Sequence, residues 1–579
     1  MKPVDYESLK SQLNDNEQAD HDFQKRRHEQ WTENYQLYRD KVIVNRLTQR
    51  QSINVPLIKG IVKTVQANTD EFPKIEFEEL GNNKDKEIVL NELWNDFVIA
   101  DKLEVKDIVD KKQDFLYGIT HTKFNIVGGR ITTEIKEPFD ILKDRYGDPT
   151  DYDNTGDHII EMGIYRTINQ LEQNPNFDKA AVNRLKVYYG TKQGLLKAEE
   201  VTQQMQAKNE RLESLGVPSM DNAILGQTWI QLKAHFQKIW DSEDKEFHIH
   251  VIVMGDHEIL MAKPLKEILG IDFFPFVTWS DDPERLDHYP DGVADIARTP
   301  NKLLNAMISA LAENRILRNF GMNFYNSSLD GFVPQTYEPQ PWGWYGVPVP
   351  EGQSIKDVFQ KVDIPDMSDS LDEMEYVKKL TETAVAASSA IQGQTEQRKV
   401  TLGEVELAMG AAKERITSIA KFYMLAMREK GDKWAKLMNA NWDKLESVKL
   451  YKKSAKGNYF EKTVSGKDWH SDKGYTCRAV SSAERENQSL QTIQKLNAVK
   501  AQFPNNLAMT KIYGKKILEF GDLTPDEIKE VMDEEEQKMQ GMVTPGFAPE
   551  GPGTDIGSGY PAQDPMQLTQ PQDAVPITG

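Results

Sequence analysis

The sequence is poor in cysteine and in long apolar runs. Its 579 residues contain one cysteine, Cys477, so the chain cannot form an internal disulfide. No apolar run approaches the roughly 18 residues that a membrane helix needs, and the first residues lack the apolar core of a signal peptide. We therefore expect assembly in a reducing cytoplasm and no contact with a membrane.

Motifs for phosphate and metal chemistry are also missing. The sequence contains no G-x-x-x-x-G-K-[ST] run to cradle nucleotide phosphates, and no H-E-x-x-H motif. The glycine-lysine segments at 190–192 and 514–516 lack the required spacing. We predict that the chain is not an ATPase or another enzyme, and that it has no catalytic residues, no cofactor and no metal site.

Basic residues are outnumbered by acidic ones. The chain has 71 Lys and Arg against 91 Asp and Glu, a formal net charge of -20. A protein that grips DNA neutralises phosphates with Lys and Arg, so this composition argues against strong DNA binding. An acidic wall would instead repel a duplex that it surrounds. The alternative interpretation is that the acidic balance only aids solubility.

Three short motifs suggest metal binding, and each has a simpler explanation. His248 and His250 share one face of a predicted strand, but no cysteine supports a metal site there. Asp151–Gly156 opens like a calcium loop, yet Met162 stands where a bidentate Glu is required. The acidic run Ser280–Glu284 has no companion carboxylate motif. We interpret them as strand histidines, a polar turn, and a turn before a long helix.

Hydrophobic periodicity predicts an α+β fold that is predominantly helical. Residues 5–110 are expected to be mainly helical, and residues 111–290 to mix strands with helices. Two hairpins are predicted, with turns at Gly128-Gly129 and Gly255-Asp256. A long polar helix is predicted from about 178 to 213.

Three longer helices are predicted after residue 290. In the first, at 290–321, Thr299 can cap and Pro300 can occupy the first turn of the main part. The second covers 369–392. The third begins at the capping box Thr401–Glu404 and runs to about residue 442. The predicted apolar stripe of the first helix is Leu303, Leu304, Met307, Ile308, Leu311 and Ile316; that of the third runs from Val405 through Tyr423 and ends in a charged residue, Lys430.

The segments between and after these helices differ in composition. Residues 322–366 are rich in Pro, Gly and aromatic residues, and residues 447–480 are predicted to be strand-rich. The loop at 393–399 mixes amides with two cations, so it can either touch phosphates briefly or be a solvated connection. The tail at 541–579 contains no Lys or Arg and is predicted to be disordered.

The order of these elements resembles that of portal proteins of tailed bacteriophages. Portal subunits run as a wing, a stem helix, a clip, a second stem helix, a tunnel loop, a long helix and a crown. Two segments also resemble portals in their amino-acid sequence. The first is WTENYQLYRD followed by INVPLIKGIVKTVQANTDEFP. The second, PFVTWSDDPERLDHYPDGVADIARTPNKLLNAMISALAENR, is similar to the stretch that enters the stem. The resemblance covers most of residues 25–540.

The resemblance implies a division of the chain into eight parts. These are a wing at 1–290, a first stem helix at 291–321, a clip at 322–366, a second stem helix at 367–391, a tunnel loop at 392–402, a long helix with a strand-rich return to the wing at 403–480, a crown at 481–540 and a disordered tail at 541–579.

The resemblance also implies a function and partners. Portals form a ring, usually of twelve identical subunits, at one capsid vertex of the virion, and double-stranded DNA passes through it during packaging and ejection. The clip would dock the terminase and later head-completion or tail adaptor proteins, and the ring would contact major capsid and scaffolding proteins. By position, the DNA-channel candidates are Gln394, Gln397, Arg398 and Lys399, and the clip-contact candidates are Trp342, Trp344 and Tyr345.

Two other functions remain open from the sequence. One is a DNA-processing enzyme such as a nuclease, which would need a carboxylate or histidine constellation. The other is a helical scaffold or adaptor that forms no ring.

Overall fold

The computed structural model describes most of the first 480 residues. The described ranges are 6–40, 53–190, 229–319, 370–385, 402–453 and 459–480, apart from 243 and 257, with short pieces at 44–45, 50–51, 208–209, 211–213, 323–325, 351–352 and 359–361 and a few single residues. Nearly all of them belong to one compact unit, Met1–Lys452 with Tyr459–Leu490. A second unit, Lys453–Asn458 with Gln491–Gly579, lies almost entirely outside the described residues, and so do the predicted crown and tail.

The residues that the structure describes are about 53% helix and 24% strand, which confirms the α+β class. It begins with helix α1 (Tyr6–Tyr38), a short pair of strands, β1 (Val44–Asn45) and β2 (Arg50–Gln51), and helix α2 (Leu57–Asn68). Strand β3 (Lys74–Glu79) then precedes helices α3 (Lys84–Ala100) and α4 (Leu103–Tyr117). The predicted helical character of this region is therefore confirmed.

The region after α4 alternates strands with short helices. The strands are β4 (Thr120–Val127), β5 (Arg130–Lys136), β6 (Ile141–Lys143), β7 (His158–Thr167), β8 (Trp229–Asp241), β9 (Glu246–Gly255), β10 (Glu258–Pro264) and β11 (Phe276–Trp279). The helices are α5 (Tyr152–Thr155), α6 (Ile168–Gln173), α7 (Lys179–Tyr189) and α8 (Leu265–Leu269). Of the predicted polar helix at 178–213, α7 is present, and residues 191–207 lie outside the described part.

These strands form two antiparallel sheets. The larger has the order β10-β9-β8-β7-β6 and the smaller the order β11-β4-β5. Gly128 and Gly129 both have positive φ and join β4 to β5, which confirms the first predicted hairpin. Gly255 opposes Glu258 at the turn between β9 and β10, which confirms the second.

The C-terminal part carries the long helices in the predicted order. Its elements are α9 (Val293–Asn319), β12 (Asn323–Tyr325), β13 (Phe359–Lys361), α10 (Ser370–Ala384), α11 (Leu402–Ala440), β14 (Val448–Lys453), β15 (Tyr459–Val464), α12 (Gly466–Trp469) and β16 (Tyr475–Val480). The strand-rich character predicted for 447–480 is confirmed.

The helix predicted at 290–321 is confirmed as α9, but the predicted cap at Thr299 is wrong. The helix begins at Val293, and Pro300 lies inside it. An interior proline costs about 3 kcal/mol because it removes one helical hydrogen bond and crowds the preceding turn. Here Val293, Ala294 and Ala297 are buried before the proline. The burial of these early turns offsets that cost, so Thr299 does not cap the helix.

Strands from opposite ends of the chain meet at the base of α11. Strand β16 pairs antiparallel with β3, with Cys477 opposite Phe77. A side chain added at Gly431 of α11 would come within 2.6 Å of the Cys477 sulfur, so glycine lets the helix approach this strand pair closely. Burial raises the pKa of the Cys477 thiol to about 12, which keeps it protonated.

Polar contacts fix α1 to the larger sheet. The side chain of Gln24 donates to the carbonyls of Pro138 and Ile141, both at 2.8 Å. Asp20 and His158 form a buried pair, with the carboxylate 2.6 Å from His158 Nε2. Because buried polar groups are costly when they are unpaired, these contacts specify where α1 lies.

We predict that the Asp20–His158 pair makes stability depend on pH. Burial alone lowers the pKa of His158, but hydrogen bonds to Asp157 and Asp20 outweigh it and raise that pKa to about 9. A raised histidine pKa stabilises the fold fully below pH ~6.5, and the contribution is lost as pH rises through about 9. Asp20→Asn should therefore lower the free energy of unfolding at pH 6.5 by up to about 3 kcal/mol and flatten its decline toward pH 9.5.

The measurement is thermal unfolding across pH 6 to 10. Asp22→Asn, at an exposed position on the same helix, is the matched control and should follow the wild-type curve. An Asp20→Asn protein with the wild-type pH profile would contradict this assignment.

Candidate functional site at the long helices

Helix α9 holds the start of α2 through a row of polar side chains. Asn301, Asn305 and Ser309 accept backbone N–H groups of the 53–58 segment at 3.3, 2.8 and 3.0 Å. Residues four apart lie on the same helix face, and the first N–H groups of a helix have no partner inside it. The row therefore satisfies these donors and sets the position of α2 against α9.

The predicted apolar stripe of α9 is only partly buried. Leu304 and Leu311 are buried as predicted, whereas Leu303 and Ile316 are 49% and 59% exposed. Ala294, Ala297 and Asn301 are buried on the same side as Leu304 and Leu311, so the buried face is rotated from the predicted one. Helix α9 contacts α1, α2 and α4. Small side chains permit that close approach, and larger apolar groups are left on the outside of the unit.

The segment after α9 is closed by a strand pair. Asn323 pairs with Lys361 and Tyr325 with Phe359, so β12 and β13 form an antiparallel ladder. The two ends of the 326–358 segment are therefore next to each other, and the segment lies between α9 and α10 in the sequence. The predicted contact residues Trp342, Trp344 and Tyr345 fall within this segment and lie outside the described residues.

Direct hydrogen bonds link helix α10 to helix α11. The Arg415 guanidinium of α11 donates to the carbonyls of Thr383 and Ala384 at 2.8 and 2.7 Å. The last carbonyls of a helix lack partners within it, and a cation there is favourable. Residues 386–401 therefore connect two helices that touch. The predicted DNA-channel residues Gln394, Gln397, Arg398 and Lys399 fall in this connection, outside the described residues.

The C-terminal half of α11 is anchored by buried charges. Lys430 Nζ is 2.5 Å from the Asp110 carboxylate of α4, and the Tyr423 hydroxyl donates to Asp107 one turn away. Lys111 lies 3.0 Å from Asp107. All five side chains are buried. We call this group the α4–α11 charge cluster.

Proton occupancy in the α4–α11 charge cluster follows from its burial. Burial raises the pKa of Asp107, while Lys111 and Lys430 oppose the shift. Burial and the Asp107 charge also raise the pKa of Tyr423, so the phenol keeps its proton and donates it. The cluster is thus internally paired, and its geometry supports anchoring rather than proton transfer.

Within the acidic run at 280–284, only Asp281 turns its carboxylate into the protein. Burial, then Asp281 and Asp110, raise the pKa of Asp114 on α4, and burial raises the pKa of Asp281 to about 7. Two carboxylates so close together favour one shared proton. Asp282 is exposed. The run does not present a group of carboxylates around an open metal position.

The calcium-like loop forms a turn of helix. Tyr152–Thr155 make up α5, and the Asp153 carboxylate lies 2.7 Å from Lys433 of α11. Asp151 accepts the side-chain amide of Asn154 at 2.8 Å. These oxygens are used within the fold.

Comparisons with protein families and with curated proteins give no match. No protein-family model matches the chain, and no curated protein is significantly similar to it. Within the described ranges, none of the helices has both the length and the apolar composition of a membrane-spanning segment.

The anchoring roles of Lys430 and Lys433 were not predicted from the sequence. Lys430 ends the predicted apolar face of α11, and a charge on such a face is the signal that would have found it. Lys433 is also buried, and it donates to the Phe276 carbonyl at 2.6 Å. The acidic partner of Lys430, Asp110 on α4, is 320 residues away in the chain. Lys433 pairs with Asp153 on α5, which is also far away in sequence.

We predict that Lys430→Met strongly destabilises the unit. The substitution leaves Asp110 buried without its cation, which costs about 3–5 kcal/mol. Lys436→Met on the same helix is the control, because Lys436 is 56% exposed in its pair with Asp432 and such pairs contribute at most about 1 kcal/mol. Urea unfolding measures both, and equal losses would contradict the anchoring role.

Proposed function

We propose that this chain is a bacteriophage portal subunit, which forms the ring that DNA crosses at one capsid vertex. The observation that carries the proposal is the arrangement around the long helices. A mixed α/β unit carries α9, a segment closed by β12 and β13, α10, a connection at 386–401, and α11. This order matches the stem, clip, stem, tunnel loop and long helix implied by the sequence resemblance.

The contacts at the ends of residues 326–358 and of residues 386–401 support a distinct role for each segment. The β12–β13 ladder holds both ends of residues 326–358, as expected for a clip that projects from the stem and docks other proteins. Arg415 ties the end of α10 to α11, as expected for a tunnel loop carried on rigid helices. Function on a loop held by rigid elements is common in proteins.

Charge supports a conduit rather than a DNA clamp. The chain has a net charge of -20, and Asp372, Glu373 and Glu375 lie exposed near the start of α10. Acidic surfaces repel phosphates and prevent a duplex from sticking. Arg398 and Lys399 would then give only brief contacts with the passing backbone.

Exposed apolar side chains on the long helices support assembly. Leu303 and Ile316 of α9 and Tyr376 and Leu380 of α10 are each about half exposed or more. Large apolar groups left on the surface favour burial by a partner. A ring uses two different faces of each subunit, because each copy contacts its two neighbours head to tail.

The alternatives predict different results. A nuclease needs a metal-binding group at a DNA-accessible surface; among the described residues, Asp241, Asp244 and His248 form the one such group, at the end of the β8–β9 hairpin. Duplex DNA incubated with the protein and Mg²⁺ should stay intact. Cleavage that is lost on a single Asp substitution would favour the nuclease.

The direct test is electron microscopy of the purified full-length protein. The portal proposal predicts rings with a central channel when they are viewed along the symmetry axis. A monodisperse monomer under capsid-assembly conditions would favour the scaffold or adaptor.

We predict that charges on the exposed face of α10 prevent ring assembly. In Tyr376→Glu/Leu380→Glu, the fold should be retained because both side chains are exposed, and the ring fraction should fall at least tenfold, as measured by microscopy and sedimentation. Tyr146→Glu, at an exposed loop position, should leave rings unchanged. Equal ring formation in both variants would place the interface elsewhere.

We also predict that Arg398→Ala/Lys399→Ala spares the ring and alters DNA packaging or retention. The physical reason is that the pair contacts phosphates only in transit. Packaging is measured as DNA protected from nuclease in assembled particles. A variant that fails to assemble would instead assign these residues to a subunit interface.

A further inference from the structure

Three potential metal ligands meet at the end of the β8–β9 hairpin. Asp241 opposes Glu246 and Ile239 opposes His248, so Asp241 and His248 are diagonal neighbours on one face of the sheet. Asp244 lies in the turn between the strands. One ligand atom from each of the three residues lies within 4.8 Å of the others, and His248 Nε2 is 3.5 Å from Asp244 Oδ2.

Asp272 orients the imidazole of His248. Its Oδ2 is 2.5 Å from His248 Nδ1, and its Oδ1 accepts the backbone N–H of Ile249 at 2.8 Å. The carboxylate is therefore fixed by the strand and holds the proton on Nδ1. The Nε2 lone pair then faces the two aspartates, which is the usual arrangement of a carboxylate behind a metal-bound histidine.

The buried nitrogen calls for a ligand. His248 is only 8% exposed, and its Nε2 atom is buried without a hydrogen bond to the described residues. A buried polar atom left in this state costs about 1–3 kcal/mol. A cation placed between Nε2 and the carboxylates of Asp241 and Asp244 would satisfy it.

We propose that Asp241, Asp244 and His248 bind a divalent cation of the zinc class. Imidazole nitrogen suits Zn²⁺, whereas Ca²⁺ takes six to eight oxygen ligands. Zn²⁺ binds nitrogen and oxygen at about 2.0–2.2 Å, which places neighbouring tetrahedral ligands roughly 3.3 Å apart. The 3.5 Å separation of His248 Nε2 and Asp244 Oδ2 is close to that spacing, and Asp244, at 64% side-chain exposure, is free to adjust.

The cation would fasten the turn to the sheet. It would link the last residue of β8, the turn and the third residue of β9, with water completing the coordination. This inference does not depend on the portal proposal. It also revises the expectation from sequence, because His248 pairs with aspartates while His250 Nδ1 lies 3.0 Å from the Tyr6 hydroxyl.

The test is calorimetric titration of chelator-treated, full-length protein with ZnCl₂ and, separately, with CaCl₂. The wild type should bind one Zn²⁺ at this site and bind Ca²⁺ far more weakly. Asp244→Asn should weaken Zn²⁺ binding at least tenfold. Because Asp244 is exposed, this variant should fold like the wild type. Asp272→Asn, which removes the positioning carboxylate, should weaken binding about 10- to 100-fold.

Asp472→Asn provides a matched control. Asp472 is almost fully exposed and lies 3.3 Å from His470 Nε2, so it forms a similar carboxylate–imidazole contact outside the three-ligand group. This variant should bind Zn²⁺ like the wild type. Absence of stoichiometric Zn²⁺ binding by the wild type, or equal losses in Asp244→Asn and Asp472→Asn, would overturn the proposal.

Discussion

The buried ion pair between Lys430 and Asp110 is the constraint on which the arrangement of the long helices depends. A lone charge in a protein interior is strongly unfavourable, so each partner specifies where the other must lie. The contact joins α4, near the N-terminus, to α11, 320 residues later. Tyr423, Asp107 and Lys111 extend it and leave little freedom in the register between the two helices. The C-terminal half of α11 is therefore fixed to the α/β unit.

The other half of α11 serves a different purpose. In the N-terminal half, Arg415 donates hydrogen bonds to the last carbonyls of α10. Helix α10 in turn packs beside α9. One helix thus connects a rigid anchor to the segment at 386–401. In a portal, this continuity would let the wing and the channel wall move as one body, since a helix of 39 residues is stiff along its axis.

Local features were predicted from sequence more successfully than distant ones. The Gly128-Gly129 hairpin follows from turn chemistry, and the order of α9, α10 and α11 follows from apolar periodicity. Thr299 was mispredicted as a cap because α9 begins at Val293, and burial of Ala294 and Ala297 outweighs the preference of Pro300 for a first turn. The pairing of β3 with β16 joins segments far apart in the chain, and local patterns carry no information about such partners.

The candidate sites differ in how they depend on tertiary structure. The residues proposed for DNA and clip contacts were chosen by position within a resemblance, and they stay predictions. The group of Asp241, Asp244 and His248 depends on a diagonal strand register and on a turn that folds back. A motif search for regularly spaced histidines selects His248 and His250 instead. Sequence spacing identifies residues that share a strand face, but the tertiary partner Asp272 decides how the imidazole is oriented.

The β12–β13 ladder has a consequence for evolution and for engineering. Because the ends of residues 326–358 are hydrogen-bonded to each other, the rest of the protein needs only those two short strands to be preserved. The cost of closing a loop grows slowly with its length. The enclosed segment can therefore diverge or lengthen while the two strands keep their pairing. In the proposed portal, the segment that docks other proteins could then change partners while the helices on either side keep their places.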